Sequence, residues 1–236
     1  MSIPSPRYAL YAAPATSDPL HGFAARWLGH DPDSGESFRA GVPGFDAAWL
    51  DRITAEPRRY GFHATLKPPF RLADGRDEAA LIKALAAFAS SFPSVRLPRL
   101  SVEALGSFLA LRPSQPCPGV NRLAADCVRR FDSFRAPASA AELAKRRAIG
   151  LTTRQEAYLT EWGYPYIFDE FRLHFTLTGK IEDAGTRQRL LDYLRNATAP
   201  LLGETLMLGE LCLFRQASES ANFRVLRRFA LAPAED

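Results

Sequence analysis

The chain is poor in the residues that build disulfide frameworks and metal centres. Its 236 residues include only four histidines and three cysteines, Cys117, Cys127 and Cys212. The cysteines are odd in number and lack metal-ligand spacing, so we expect reduced thiols and a cytoplasmic location. No compact group of metal-ligating residues is evident in the sequence, and we expect neither a metal nor a cofactor.

Long apolar runs and a strong charge imbalance are also missing. No apolar run approaches the length of a membrane span, so no membrane partner is expected. The formal net charge is only +4. This charge suits a phosphate-bearing ligand, but by itself it does not indicate a nucleic-acid-binding protein.

Two of the four histidines lie in the same short motif, His-x-Thr-Leu. The first copy lies within Tyr60–Lys67 and the second within Phe171–Thr178. From composition, two such matches are expected in roughly one chain in several thousand. The pair therefore indicates a shared function, although a single copy would mean little.

Both copies alternate as β-strands do, so every second side chain shares a face. Each predicted polar face carries an imidazole, a hydroxyl and a cation: His63, Thr65 and Lys67 in the first copy, and His174, Thr176 and Arg172 in the second. The opposite faces are largely apolar and are expected to pack on a core.

The strings Arg59–Phe70 and Phe171–Gly179 resemble the 2H phosphoesterase superfamily, and within it a bacterial branch linked to phosphonate use. The resemblance implies an α+β fold of two pseudo-symmetric lobes. Each lobe would be an antiparallel sheet with helices on the outside, and the active-site cleft would lie between the lobes.

The predicted elements repeat in order, with a motif strand, a helix and two strands in each half. We predict one two-lobed domain over residues 1–236, with a lobe at 1–113, a lobe at 119–236 and a Pro-rich boundary between them. The strands are predicted at 8–12, 97–105, 108–112, 206–214 and 223–229, with the motif strands near 60–67 and 171–181. The helices are predicted at 19–28, 45–55, 77–92, 120–134, 138–149, 152–162 and 184–197, with a loop at 29–44.

Two histidines on opposite sides of a phosphorus atom can act as base and acid near neutral pH. The hydroxyls of Thr65 and Thr176 can donate hydrogen bonds to the non-bridging oxygens. Lys67 and Arg172 would add charge-assisted bonds, or they are ordinary solvated charges.

Three aromatic residues are candidates to line the substrate cleft: Tyr11, Tyr60 and Phe108. Tyr60 falls on the core-facing phase of its strand, so packing is the favoured interpretation for it. The basic run at 145–147 is interpreted as a solvated helix face, with substrate steering as the alternative.

The sequence thus predicts a metal-independent phosphodiesterase acting on a small cyclic phosphodiester. The resemblance implies a ribose or other sugar cyclic phosphate in phosphonate metabolism, and a small phosphorylated partner. One alternative is an RNA-end 2′,3′-cyclic phosphodiesterase or RNA-binding protein, although the basic residues are scattered. Another is a non-catalytic phosphate-binding module, which would not need two histidines. The oligomeric state stays open, and a monomer is compatible with the sequence.

Overall fold

The computed structural model describes residues 6–38, 41–203 and 205–234. The α-helices are α1 Pro19–Leu28, α2 Ala47–Arg58, α3 Glu78–Ala89, α4 Pro118–Arg130, α5 Ala140–Arg147, α6 Thr153–Trp162 and α7 Ala184–Thr198. The strands are β1 Arg7–Ala12, β2 Ala64–Phe70, β3 Val95–Pro98, β4 Leu100–Leu105, β5 Phe108–Pro113, β6 Phe175–Thr176, β7 Thr205–Leu208, β8 Glu210–Gln216 and β9 Arg224–Ala230. The fold is α+β with antiparallel sheets, as predicted.

Most helices begin at a polar side chain that accepts a first-turn N–H group, which compensates the unpaired donors there. The capping residues are Asp18, Asp46, Asp77, Ser139, Thr152 and Asp183. Ser139 and Thr152 form reciprocal capping boxes with Glu142 and Gln155. These signals place the helix starts close to the predicted ones.

The strands form a four-stranded sheet in the order β2-β1-β8-β9, a three-stranded sheet β4-β5-β6 and the pair β3-β7. All pairings between these strands are antiparallel. Each sheet combines strands from both sides of the 113–118 stretch. That stretch therefore divides the sequence into two repeats but does not divide the sheets, because antiparallel pairing joins strands that are distant in the chain.

The second motif strand is much shorter than the predicted 171–181. Only Phe175–Thr176 forms β6, paired with Leu111 and Ala110 of β5. The ladder ends because Leu109 donates its N–H to the Thr178 hydroxyl (2.9 Å) instead of to a backbone carbonyl. The predicted strand 97–105 is in fact two strands, β3 and β4, which lie in different sheets. Within the predicted loop 29–44, residues 39 and 40 lie outside the described residues.

The four-stranded sheet has two apolar faces, because β1 alternates between them. Tyr8, Leu10 and Ala12 join the main core with the helices, where Leu81, Leu85 and Phe88 of α3 are also buried. Ala9, Tyr11 and Ala13 face the other way and form a second cluster with Cys212, Phe214 and Phe223. This second cluster is the surface on which the first histidine lies.

Candidate active site

His63 lies directly before β2 and stacks on Tyr11 of β1. The ring centroids are 3.7 Å apart and the planes are inclined by 22°. Tyr11 is fully buried and stands opposite Thr65 in the β1–β2 ladder. The stacking fixes the plane of the imidazole, and Thr65 is half-buried beside it.

The two ring nitrogens of His63 have different surroundings. Nδ1 is 2.9 Å from the carbonyl oxygen of Gly61, so Nδ1 carries the hydrogen and donates a hydrogen bond to that oxygen. Nε2 lies 3.2 Å from the Thr65 hydroxyl. In the neutral ring, Nε2 is therefore the nitrogen that can accept a proton.

Gly61 makes this arrangement sterically feasible. It has a φ of +73°, a left-handed conformation that side chains disfavour. A Cβ added there would lie 2.7 Å from the Pro32 side chain. The Gly61 carbonyl that orients His63 thus depends on the absence of a side chain.

Replacing Gly61 with alanine should lower the free energy of unfolding by about 2–3 kcal/mol, from left-handed strain plus the clash with Pro32. The matched control is Gly75→Ala. Gly75 has a φ of +74° but no atom within 4 Å of an added Cβ, so only the strain should remain, about 1–2 kcal/mol. Chemical denaturation of both variants measures the difference. Equal losses would contradict the predicted clash.

Burial, with a smaller contribution from the positive charge on His174, lowers the pKa of His63 to about 4. The hydrogen bond to the Gly61 carbonyl acts in the opposite direction but does not compensate. His63 is therefore neutral at all pH values well above 4. The effect of His174 also means that the two imidazoles lie close enough for their charges to interact.

His174 repeats the geometry of His63 in a more exposed setting. Its Nδ1 is 2.7 Å from the carbonyl oxygen of Arg172, again the residue two positions earlier, which leaves Nε2 available. The Phe108 ring centroid lies 6.1 Å from the His174 ring centroid. Thr176 is half-buried opposite Ala110 of β5. Both motifs therefore present Nε2 and a threonine two residues later.

Lys67 does not share the surface of His63, contrary to the alternation. The β1–β2 register shifts between Leu10 and Tyr11, so that Lys67 stands opposite Leu10 on the main-core face. It is 1% exposed, and its Nζ lies 3.4 Å from Asp132 and 3.3 Å from the Val128 carbonyl. The extra residue at this bulge places Lys67 on the same side as Leu66, which makes Lys67 a core residue rather than a phosphate ligand.

Arg172 is exposed at the end of the second motif loop. Its Nη1 donates to the carbonyl oxygens of Asp169 (2.9 Å) and Phe171 (3.1 Å). These bonds hold the guanidinium beside its own loop. A phosphate contact for Arg172, as for the two threonines, stays a prediction.

Tyr60 lies on the histidine side, not on the main-core face expected from its phase. Its ring stacks on Phe223 with centroids 5.2 Å apart, and its centroid is 6.0 Å from that of His63. The reason is that Gly61 turns the chain between Tyr60 and the strand. With Tyr11 and Phe108, all three predicted lining residues lie near one of the histidines.

Several residues near the site were not identified from the sequence: Arg7, Tyr164, Phe214 and Phe223. Arg146, also nearby, belongs to the basic run at 145–147, for which substrate steering was the alternative interpretation. Phe214 lies 6.2 Å from His63 between ring centroids, and Arg7 lies 5.6 Å from the centre of the Phe223 ring. Most come from elements far from the motifs in sequence. The aromatic residues in the turn at 163–169 were a local signal for Tyr164.

One group of three metal-ligating side chains occurs among the described residues, although none was evident in the sequence. Its members are His21, Asp31 and Asp33, whose ligand atoms lie within 4.8 Å of one another. Arg228 of β9 binds both oxygens of Asp33, at 2.8 and 2.9 Å. The guanidinium thus already supplies the positive charge, and this group is an ion-pair network.

Two concavities of about 370 and 430 Å³ lie away from the histidines. The first is lined by Asp18, Pro19 and residues 201–203 and 205–206 among others, and the second by residues 93–96, Gly119 and Arg122. Neither includes a motif residue. The histidines therefore line a different surface.

An α+β fold with two His-x-Thr motifs of equivalent histidine geometry resembles that of the 2H phosphoesterase class. The chain belongs to the family described as Protein of unknown function (DUF1045), which matches residues 65–224. In the described part of the chain, no helix is both long enough and apolar enough to cross a bilayer.

Two curated relatives are both named Ribose 1,5-bisphosphate phosphokinase PhnN. The protein from Janthinobacterium sp. (strain Marseille) is 43% identical over 179 residues, covering 75% of this chain and 40% of that protein. The protein from Laribacter hongkongensis (strain HLHK9) is 35% identical over 222 residues, covering 94% and 51%. The chain thus spans about half the length of these relatives.

Solved structures include similar chains at low sequence identity. E. coli LigT complexed with 3′-AMP has a TM-score of 0.46 at 16% identity, with 97% of this chain and 98% of that chain covered. TT0787 of Thermus thermophilus has a TM-score of 0.45 at 14% identity, with 97% and 100% covered.

Proposed function

We propose that this chain is a phosphodiesterase that hydrolyses a small cyclic phosphodiester by acid–base catalysis from His63 and His174. The observation that carries the proposal is the repeated histidine geometry. In both motifs Nδ1 is bound to the carbonyl two residues earlier, and Nε2 is left for proton transfer. A binding module would need neither the repeated orientation nor two titratable groups.

The two environments assign different roles to the histidines. His63 has a pKa of about 4 and is neutral at physiological pH, as a base must be. His174 is the second imidazole of the repeated geometry, and its Nε2 is free to donate a proton to the leaving oxygen. We therefore assign His63 as the general base and His174 as the general acid.

The proposed reaction is one in-line displacement. Nε2 of His63 takes a proton from water while the water oxygen forms a bond to phosphorus. The bond from phosphorus to one ring oxygen breaks, and that oxygen takes the proton from Nε2 of His174. The product is a phosphomonoester, and proton exchange with solvent restores both histidines. Thr65 and Thr176 donate to the non-bridging oxygens, where charge develops.

This scheme needs no metal or cofactor, since the imidazoles supply both proton transfers. We propose a ribose cyclic phosphate as the substrate class. The support is the name of the curated relatives, which refers to a ribose phosphate, and it agrees with the resemblance to the phosphonate-linked branch.

A screen of cyclic phosphodiesters tests the function. The panel contains ribose 1,2-cyclic phosphates and nucleoside 2′,3′-cyclic phosphates, each assayed with and without a chelator. Turnover of the ribose compounds that survives chelation is expected. Preference for the nucleoside compounds would favour the RNA-end alternative, and no turnover of any compound would contradict the proposal.

The pH dependence tests the assignment of roles. If His63 is the base, kcat/KM should fall on the acid side near pH 4, well below the ordinary histidine range, because the neutral form is present only above its pKa of about 4. Since the general acid must carry its proton, kcat/KM should also fall at higher pH. If His63 were the acid, its required protonated form would be lost above about pH 4. Activity that declines from pH 4 upward would therefore reverse the assignment.

A further inference from the structure

A wall of aromatic rings adjoins His63 on the side away from the main core. Tyr11 stacks on His63, Tyr60 stacks on Phe223, and the Tyr11 and Phe223 centroids are 6.3 Å apart. Tyr164, from the turn before the second motif, lies close enough to add to the effect of burial in raising the pKa of Tyr11. Tyr60 likewise adds to the effect of burial on the pKa of Tyr164. Tyr11 and Phe223 are buried, so the rings that a sugar could contact are those of Tyr60 and Tyr164, which are partly exposed.

Arg146 borders this wall from α5. Its guanidinium carbon lies 4.6 Å from the centre of the Tyr164 ring, and its charge lowers the pKa of Tyr164 against the effect of burial. Within the described ranges, no carboxylate forms an ion pair with Arg146. The neighbouring Arg147, in contrast, is paired with Glu156 at 2.6 Å.

Arg7 borders the wall from β1. It lies over Phe223, and its charge lowers the pKa of Tyr11. Its Nε and Nη2 donate to the amide oxygen of Gln216, which is 1% exposed. A neutral amide holds the guanidinium in place without cancelling its charge. Arg7 thus also keeps a full positive charge beside the wall.

The helix that carries Arg146 is weakly attached. No side chain of α5 is buried, and an ion pair between Glu142 and Arg71 (2.7 Å) joins it to the body. Its position therefore depends little on hydrophobic burial. A small shift of α5 would move Arg146 from Tyr164 towards a ligand.

We propose that Arg7 and Arg146 bind a second phosphate of the substrate, one that is not cleaved. This inference rests on the proposed function and specifies its substrate as a sugar cyclic phosphate that also carries a phosphate monoester. Guanidinium groups bind such dianions through paired, charge-assisted hydrogen bonds. The partly exposed rings of Tyr60 and Tyr164 would contact the sugar.

The test compares ribose 1,2-cyclic phosphate with the same compound phosphorylated at the 5-position. Wild-type protein should prefer the phosphorylated compound in kcat/KM. Arg146→Gln and Arg7→Gln should each lower this preference by about 10- to 100-fold, the size of one charge-assisted interaction, mainly through KM. Arg147→Gln is the matched control on the same helix and should keep the preference.

Hydrolysis of both compounds with equal kcat/KM would overturn the second phosphate site but leave the proposed function intact. No hydrolysis of either compound would overturn the proposed function. Calorimetric titration of ribose 1,5-bisphosphate provides a readout independent of turnover. Its Kd should rise in Arg146→Gln but not in Arg147→Gln, and an unchanged Kd in Arg146→Gln would contradict the assignment. Since Arg146 lies on a helix without buried residues, that variant should fold even if Arg7→Gln does not.

Discussion

Replacing His63 or His174 with alanine should lower kcat/KM for a cyclic substrate by about 10²- to 10⁴-fold, the usual contribution of one positioned proton-transfer group. The kcat/KM of the double variant should be only slightly below that of the less active single variant, because base and acid act in one concerted step. Steady-state kinetics on all three variants measures both effects. Losses that multiply fully in the double variant would indicate that the histidines act independently.

Folding must be separated from catalysis in this series. His63 packs against Tyr11, so His63→Gln keeps more of the buried volume and should be as inactive as His63→Ala. His21→Gln is the control, since His21 pairs with Asp31 at 3.3 Å in a different network and should retain activity. A double variant with near wild-type turnover would refute the two-histidine mechanism.

Replacing Asp132 with alanine should lower the free energy of unfolding by about 2–4 kcal/mol, because it leaves the buried ammonium of Lys67 without its carboxylate and removes the ion pair with Arg135 (2.7 Å). This expected loss is smaller than for a fully buried ion pair, since the Asp132 side chain is 28% exposed and Lys67 can release its proton. Burial already lowers the pKa of Lys67 to about 8, even though Asp132 acts to raise it. Denaturant unfolding at pH 7 measures the loss. Asp126→Ala, which removes an exposed ion pair with Arg129, should cost less than about 1 kcal/mol.

The matching variant is Lys67→Met, which removes the charge but keeps the length of the side chain. It should lower the free energy of unfolding far less than Asp132→Ala does, because an apolar side chain suits the main-core face. Its kcat/KM should stay close to wild type. A large loss of activity in a stably folded Lys67→Met protein would restore Lys67 as a phosphate ligand.

The contrast between Lys67 and the histidines shows what the sequence could predict. His63 and Thr65 precede the bulge, so simple alternation placed them correctly on one surface. The bulge arises from pairing with β1, more than fifty residues earlier, and nothing within the motif reveals it. The same limit applies to Arg7 and Phe214, which reach the site only through the β1–β8 ladder.

The helices and the α+β class were predictable because their signals are local. Capping residues such as Asp77 and the spacing of Leu81, Leu85 and Phe88 lie within a few turns of one another. The partners of the strands were not predictable in this way. The resemblance implied one sheet from each half, whereas each observed sheet contains strands from both halves.

That exchange has a consequence for how the protein is made. β1 is flanked by β2 and β8, and Tyr11 pairs with Cys212, about 200 residues further along the chain. During synthesis, one edge of β1 therefore stays open until β8 has left the ribosome, and the surface around Tyr11 and His63 closes last. Pairings of such long range make folding slow and leave the nascent chain exposed to misassociation.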